Sequence, residues 1–338
     1  MPRIAVDAMG GDFAPEETVR AVAQVSLESD IEIVLVGNAD RIQALLDGGP
    51  YNPELISVRH CSSAIGMAED PRDALRAKRD ASITVAARMV AAGEADAMVS
   101  AGNTGACVLA AAKHFKLIKG VRKAALASVF PRHTEYAGQD VLALLLDVGA
   151  TIRCDALELA QFAVMGSAYA RRISKIPSPH VGLLNMGAEE TKGGEVLIDA
   201  NRRLRGLPQI DFIGNIEGND VATGKADVIV TEGLVGNIVL KLIEGIGEVA
   251  MDIASQAARE SWRYRLGLLM LSTGIARMRE LADYRTYGGA PVLGFENLCI
   301  KAHGRSNAPA IRNAIKVAAK AVRDRITTDI AEAVAQIR

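Results

Sequence analysis

No stretch of the sequence is apolar enough to cross a bilayer; none approaches the ~18 residues that a spanning helix needs. A charged n-region followed by a long apolar segment is also missing, so no signal peptide is expected. The reading is a cytoplasmic protein that can still touch a membrane surface. Excess charge of one sign is absent: 39 Lys and Arg face 40 Asp and Glu, for a net charge of −1. That balance speaks against a broad basic surface for nucleic acid, though not against a local basic patch. Aromatic residues make up only 4% of the chain, so the core is built from small and branched side chains. Cys61, Cys107, Cys154 and Cys299 are the only cysteines, and they form no C-x-x-C. A zinc site or disulfide framework is therefore not expected, and the four read as isolated core thiols in a reducing compartment.

What is present is alternation. Short branched runs at 3–8, 31–37, 56–61, 96–102, 124–130, 141–149, 180–187, 211–217, 227–233 and 298–304 read as buried strands. Between most of them lie segments of helical period, such as 154–174. Strands apolar on both faces and separated by helices imply an α/β fold with a mostly parallel sheet covered on both sides. No internal repeat or low-complexity linker divides the chain, which reads as one large α/β domain over 1–338. One region breaks the rhythm. From 234 to about 285 there is no strand signal, and Val239, Ile243, Ile246, Ala250, Ile253 and Ala257 recur at helical steps. A long helical hairpin projecting from the body is expected there.

Polar residues gather after the strands, where open parallel sheets bind ligands and helix N-termini offer free N–H groups. Asp7, Gly10 and Gly11 follow the first strand, and Gly102, Asn103 and Thr104 follow the fourth in "SAGNTGA". Asn185 and Lys192 come later, then Asn237, then Lys301, His303, Ser306 and Asn307. Glycine lets a ligand approach backbone, amides bind anions, and lysine adds a point charge for phosphate. The expectation is a shared anion site built from loops at corresponding ends of the strands. Neither a Walker loop, nor a full G-x-G-x-x-G, nor a G-x-S-x-G elbow is present, so nothing calls for a nucleotide cofactor or a serine nucleophile. His60, His114, His133 and His180 show no ligand or triad spacing and read as structural.

Seven blocks in order, "VDAMGGDFAPEETV", "VSAGNTGA", "LLLDVGA", "QFAVMGSAYA", "LLNMGAEETKG", "DVIVTEGLVGNIVLK" and "YGGAPVLGFENLCIKAHGRSNAPAIRNAI", lie between residues 6 and 315. Together they resemble the bacterial acyl-carrier-protein:phosphate acyltransferases of phospholipid synthesis. That resemblance implies a three-layer αβα sandwich like those of phosphotransacetylases and isopropylmalate dehydrogenases, usually as a homodimer. It implies transfer of a long-chain acyl group from acyl carrier protein to inorganic phosphate, without cofactor or metal. The acyl phosphate would serve the downstream glycerol-3-phosphate acyltransferase. It also assigns catalysis to the lysine of the "ETKG" block and the asparagine of the "GN" block, here Lys192 and Asn237. Three rival readings are a coenzyme A-dependent phosphotransacetylase, an isopropylmalate-type dehydrogenase, whose clustered metal-binding aspartates the sequence does not show near the expected site, and a non-catalytic membrane organiser of lipid-synthesis enzymes. Residues 259–285 hold six arginines, and Leu266, Leu268, Leu269 and Leu271 cluster at the expected hairpin apex. Contact with an anionic membrane, steering of an acidic carrier, and dimer packing all suit such a segment.

Overall fold

The computed structural model describes residues 1–131, 142–271 and 288–337. The chain runs β1 (Arg3–Asp7), α1 (Glu16–Glu28), β2 (Glu32–Gly37), α2 (Ala39–Leu46), β3 (Ile56–His60), α3 (Pro71–Ala77), α4 (Ser82–Ala91), β4 (Ala97–Ser100) and α5 (Thr104–His114). It continues with β5 (Ala125–Pro131), β6 (Leu142–Leu146), α6 (Ala156–Arg172), β7 (His180–Leu184), α7 (Gly194–Arg205), β8 (Asp211–Ile216), α8 (Gly218–Thr223) and β9 (Val228–Val230). Then come α9 (Gly233–Glu260), α10 (Trp262–Met270), β10 (Ala290–Leu293), β11 (Leu298–Lys301), α11 (Ala308–Arg323) and α12 (Ile326–Val334).

All ten expected strands form, and all join one sheet in the order β3-β2-β1-β4-β11-β10-β5-β6-β9-β7-β8. The eleventh, β10, comes from "APVL", a short run with a proline between glycine-rich flanks. Helices cover both faces. One core packs α1, α6, α11 and α12 against the sheet, and a second packs α3, α4, α5 and the start of α9 against the opposite face. α6 shows how the sequence commits to its place. Asp155 and Glu158 close a capping box at its start, and Arg171 and Arg172 complement the dipole at its end. Gly166 faces the sheet, where a Cβ would meet Leu146 Cδ1 at 2.5 Å and Val228 Cγ1 at 2.6 Å.

The expectation of loops gathered at corresponding strand ends is corrected by the pairing. β10 is antiparallel to both β11 and β5, and β5 is antiparallel to β6; the other ladders are parallel. The half carrying β1 to β4 and β11 thus runs opposite to the half carrying β6 to β9. Their carboxyl ends nevertheless meet. Lys301 pairs with Ala290, Val292 with Leu126, and Ala127 with Leu146. Followed across the ladders, Lys301 and Leu146 end one row apart. At the usual strand spacing they are separated laterally by roughly 14 Å. Two rims converge head to head across β10 and β5.

The long helix appears as expected: α9 has 28 residues, about 42 Å at ~1.5 Å per residue. Its stripe divides. Val239, Leu240 and Ile243 pack on the body, whereas Ile246 and Ile253 are exposed together with Ile238, Leu242 and Val249. The helix leaves the body after about three turns, and its apolar face continues into solvent. Leu266, Leu269 and Leu271 in and just after α10 are exposed and Leu268 is half-buried. The expected return of the hairpin, with Arg277, Arg279 and Arg285, lies outside the described residues. Among the described residues no helix is long and apolar enough to cross a membrane.

Candidate active site

On the face shared by α5 and α9, α5 reaches β11 and α9 begins on β6. The strip between them, β10 and β5, forms the floor of a cavity of about 600 Å³. Lys301, Ala290, Ser128 and Leu126 line this floor. One wall carries Asn103, Thr104 and Gly105 at the start of α5, with His303 to Ser306 after β11. The opposite wall carries Val148 and Gly149 after β6, with Asn237, Leu240, Lys241 and Glu244 of α9. The loop after β1 contributes Asp12.

The first rim is tied together from beneath. Asp7 is buried; its Oδ2 accepts from Ser100 Oγ at 2.7 Å and its Oδ1 from Met9 N–H at 3.2 Å. Burial pushes the Asp7 carboxyl up, while the Ser82 and Ser100 hydroxyls and Lys301 oppose the shift. Gly10 permits this junction, because a Cβ there would strike Asp7 Oδ2 and reach Gly102 Cα at 2.8 Å. The φ of +115° at Gly11 is one that side-chain-bearing residues rarely adopt. Asp7, Gly10, Gly11 and Gly102 therefore build the rim and do not line the cavity. Asn103 caps α5 by accepting Ala106 N–H at 3.0 Å and donates to the carbonyls of Met67 and Glu69. Its side chain is spent on structure, and Thr104 and Gly105 carry the open start of α5 into the cavity.

The start of α11 is already occupied. Ala308 N–H donates to Glu17 Oε2 at 2.7 Å, Ala310 N–H to Asn307 Oδ1 at 3.2 Å, and Pro309 has no N–H. Asn307 is a cap, not a ligand donor, and Ser306 reaches the wall ahead of it. The strong positive element is Lys301. It is 5% exposed on the floor and donates to the Ala302 carbonyl. Burial pulls its pKa down from the ordinary lysine value, with the neighbouring Cys107, Cys299, Asp7 and Asp12 pulling the other way. An anion in the cavity would oppose that shift by favouring the charged form. His303 is pushed down to about 4, by burial first and then by Lys301, Lys241 and Arg305. Its Nδ1 accepts Arg305 N–H at 3.2 Å.

The second rim is organised by Asp147. Its Oδ1 accepts N–H groups of Leu126, Gly149 and Ala150, and its Oδ2 accepts the N–H and hydroxyl of Thr151. Thr151 Oγ1 in turn accepts Gly233 N–H, which fixes the start of α9 against this loop. Asn237 is thereby presented beside Gly149.

Two expected residues stay apart from the cavity. Asn185 accepts Met186 N–H at 2.8 Å and donates to Lys192 O at 3.1 Å, closing its own loop. Lys192 is exposed beside it on the same carboxyl rim as β9. Ser128, Lys241, Glu244 and Arg305, which the strand-end pattern does not single out, also line the cavity, together with Asp12 after the first strand. Lys241 and Glu244 had a readable signal, since they follow Asn237 by four and seven positions on one helical face. The four cysteines are free and buried, and Cys107 and Cys299 are not isolated: their sulfurs lie 3.4 Å apart beneath Lys301. Among the described residues no cluster could hold a metal ion.

The cleft lies between two converging strand rims of an α/β fold that solved structures share. A solved phosphotransacetylase from Streptococcus pyogenes covers 95% of this chain and 94% of its own at TM-score 0.65 and 20% identity. A 4-hydroxythreonine-4-phosphate dehydrogenase from Klebsiella pneumoniae covers 95% and 100% at TM-score 0.52 and 15% identity. Those likenesses establish the fold alone. The family model described as fatty acid synthesis protein matches residues 2–328, and the chain belongs to that family. A phosphate acyltransferase of Thermosynechococcus vestitus is 42% identical over 330 residues, 97% of this chain and 94% of the relative. One from Dictyoglomus turgidum is 39% identical over 336 residues, 99% and 98%.

Proposed function

We propose that this chain transfers a long-chain acyl group from the thioester of acyl carrier protein to inorganic phosphate, releasing acyl phosphate and the carrier thiol. The observation that carries the reading is the cavity itself. A buried lysine, an open helix start and an asparagine from the opposite rim converge there, in a chain whose relatives are named phosphate acyltransferase. Orthophosphate is nucleophilic at neutral pH, so the site has to bind it, orient it and stabilise the tetrahedral oxyanion. Lys301 and the first-turn amides of α5 hold the phosphate. Asn237 donates to the oxyanion. Lys192 stands outside the cavity on the rim beside β9, where its cation meets the donor as it enters. The apolar floor and wall, Leu126, Val148 and Leu240, accept the first part of the acyl chain.

The same reading makes the chain a homodimer through the exposed stripe of α9, with the leucines at 266–271 resting on an anionic membrane where the product is consumed by an acyltransferase acting on glycerol 3-phosphate. Purified protein is given acylated carrier and phosphate, and acyl phosphate is trapped with hydroxylamine. Formation of acyl hydroxamate that depends on phosphate supports the reading. Activity with acetyl-coenzyme A but not with acylated carrier would establish the phosphotransacetylase alternative, and no acyl transfer from either donor would overturn both.

A further inference from the structure

The cavity side of α9 carries more than Asn237. Lys241 and Glu244 follow it at four and seven positions, and one turn further Glu248 pairs with Arg305 at 3.3 Å. That pair links α9 to the loop that holds His303. Glu244 is half-buried in the wall and makes no hydrogen bond or ion pair with any described residue, its neighbour Lys241 included. An unpaired, half-buried carboxyl is costly unless something else claims it.

Acyl transfer to phosphate supplies a claim. Hydrogen phosphate carries a proton that acyl phosphate does not, and the thiol product carries one that the thioester did not. One proton must therefore pass from nucleophile to leaving group in each turnover. Resting on the function proposed above, we propose that Glu244 is the carrier of that proton. Its carboxylate takes the proton from hydrogen phosphate as the phosphate oxygen bonds to the carbonyl carbon. The resulting carboxylic acid returns the proton to sulfur as the carbon–sulfur bond breaks. Charge and atoms balance without a co-reactant, and the glutamate ends each cycle as it began.

The surroundings suit both forms. Burial raises the Glu244 pKa, Glu248 adds to the rise, and Lys241 and Arg305 draw it back. The other titratable side chains on the cavity wall are His303 and Asp12, with Lys301 on the floor. His303 is less suited to the task, since it is held neutral down to about pH 4 and its Nδ1 is engaged by Arg305 N–H. A carrier works best with a pKa near the working pH.

The test compares wild type, Glu244→Gln and Glu244→Asp with acylated carrier and phosphate from pH 5.5 to 9, with thermal midpoints measured alongside. Glu244→Gln is expected to lower kcat by roughly 10²- to 10⁴-fold. KM for each substrate should stay within about threefold, and the acidic limb of the wild-type kcat profile should vanish. Glu244→Asp keeps part of the rate with a shifted limb. The assignment falls if Glu244→Gln retains kcat within threefold, if the loss appears in the phosphate KM alone, or if the limb persists. Should Glu244→Gln fail to fold, an Asp variant with wild-type kcat and profile overturns it equally. Absence of acyl phosphate from wild type refutes the underlying function instead.

Discussion

Replacing Gly236 with alanine tests whether the second rim positions the chemistry. Gly236 lies in the first turn of α9, one residue before Asn237. A Cβ built there falls within the radius of the Asp147 carbonyl oxygen, lies 2.9 Å from Asp147 C, and lies 3.0 Å from Thr231 Cγ2. Ordinary contact begins near 3.4 Å, so the helix start must retreat by about half an ångström from that carbon and further from the oxygen. Asp147 cannot yield in its place, because five donors from four residues hold its carboxylate. Overpacking of this kind costs about 1–3 kcal/mol. A retreat of this size carries Asn237 away from the cavity, and misplacement near 1 Å costs on the order of 10²-fold in rate. Gly236→Ala is therefore expected to lower kcat/KM by roughly 10- to 100-fold with a thermal midpoint reduced by a few degrees. Gly245→Ala is the control: it lies in the same helix with nothing within 4 Å of its Cβ. That change should be neutral or raise stability by up to ~1 kcal/mol. Circular dichroism melts and steady-state assays of both variants decide the matter. A Gly236→Ala enzyme within threefold of wild type, with Asn237→Ala inactive, would refute the argument that this contact sets the asparagine.

Three further expectations follow from the same geometry. Lys301→Gln should raise the phosphate KM roughly 10- to 100-fold, the worth of one charged hydrogen bond, with the carrier KM little changed; calorimetric titration with phosphate checks this. His303 has its pKa depressed to about 4 in the folded chain against 6.5 as its ordinary value. The unfolded chain then binds more protons between those pH values. Stability present above about pH 6.5 is lost as pH falls toward 4, and His303→Gln should flatten the slope of thermal midpoint against pH in that window. If the chain dimerises through α9 and rests on membrane through the 266–271 leucines as proposed, Ile246→Glu with Ile253→Glu should give a monomer in sedimentation, whereas Leu268→Glu with Leu269→Glu should reduce flotation with anionic vesicles without changing the sedimentation; the opposite pattern would exchange the two roles.

Strand positions were legible because a buried parallel strand must be apolar on both faces, and the ten runs named from the sequence all joined the sheet. β10 escaped because four residues with a proline between glycine-rich flanks carry no period. The reversal between the two halves was invisible for a deeper reason. A run such as "LALLL" has the same apolar pattern read either way, so direction is decided by the pairing of β5 with β10 and β6, not by the residues of either half. Asn103 lines the cavity and Asn307 follows the lining residue Ser306, yet both act as caps whose side-chain oxygens accept from helix backbone; the sequence distinguishes caps from ligand donors poorly, since both require a short polar group before a helix. Asn185 illustrates the same limit, because its loop follows a strand on the expected rim and then satisfies itself.

The reversed halves also explain why polar and apolar groups adjoin on both the walls and the floor of the cavity. Had all strands run one way, every carboxyl-end loop would stand on one edge, with any ligand bound outside the sheet. Here the two rims approach within one row of each other, so the ligand space sits over the middle of the sheet between α5 and α9. Amides, Lys301 and His303 approach from one rim, and Asn237, Lys241 and Glu244 from the other. β5 supplies the buried Leu126 beneath them. An anion that needs donors and an acyl chain that needs apolar surface can be held a few ångströms apart only where those two kinds of surface adjoin, and the head-to-head junction is the place in this sheet where they do.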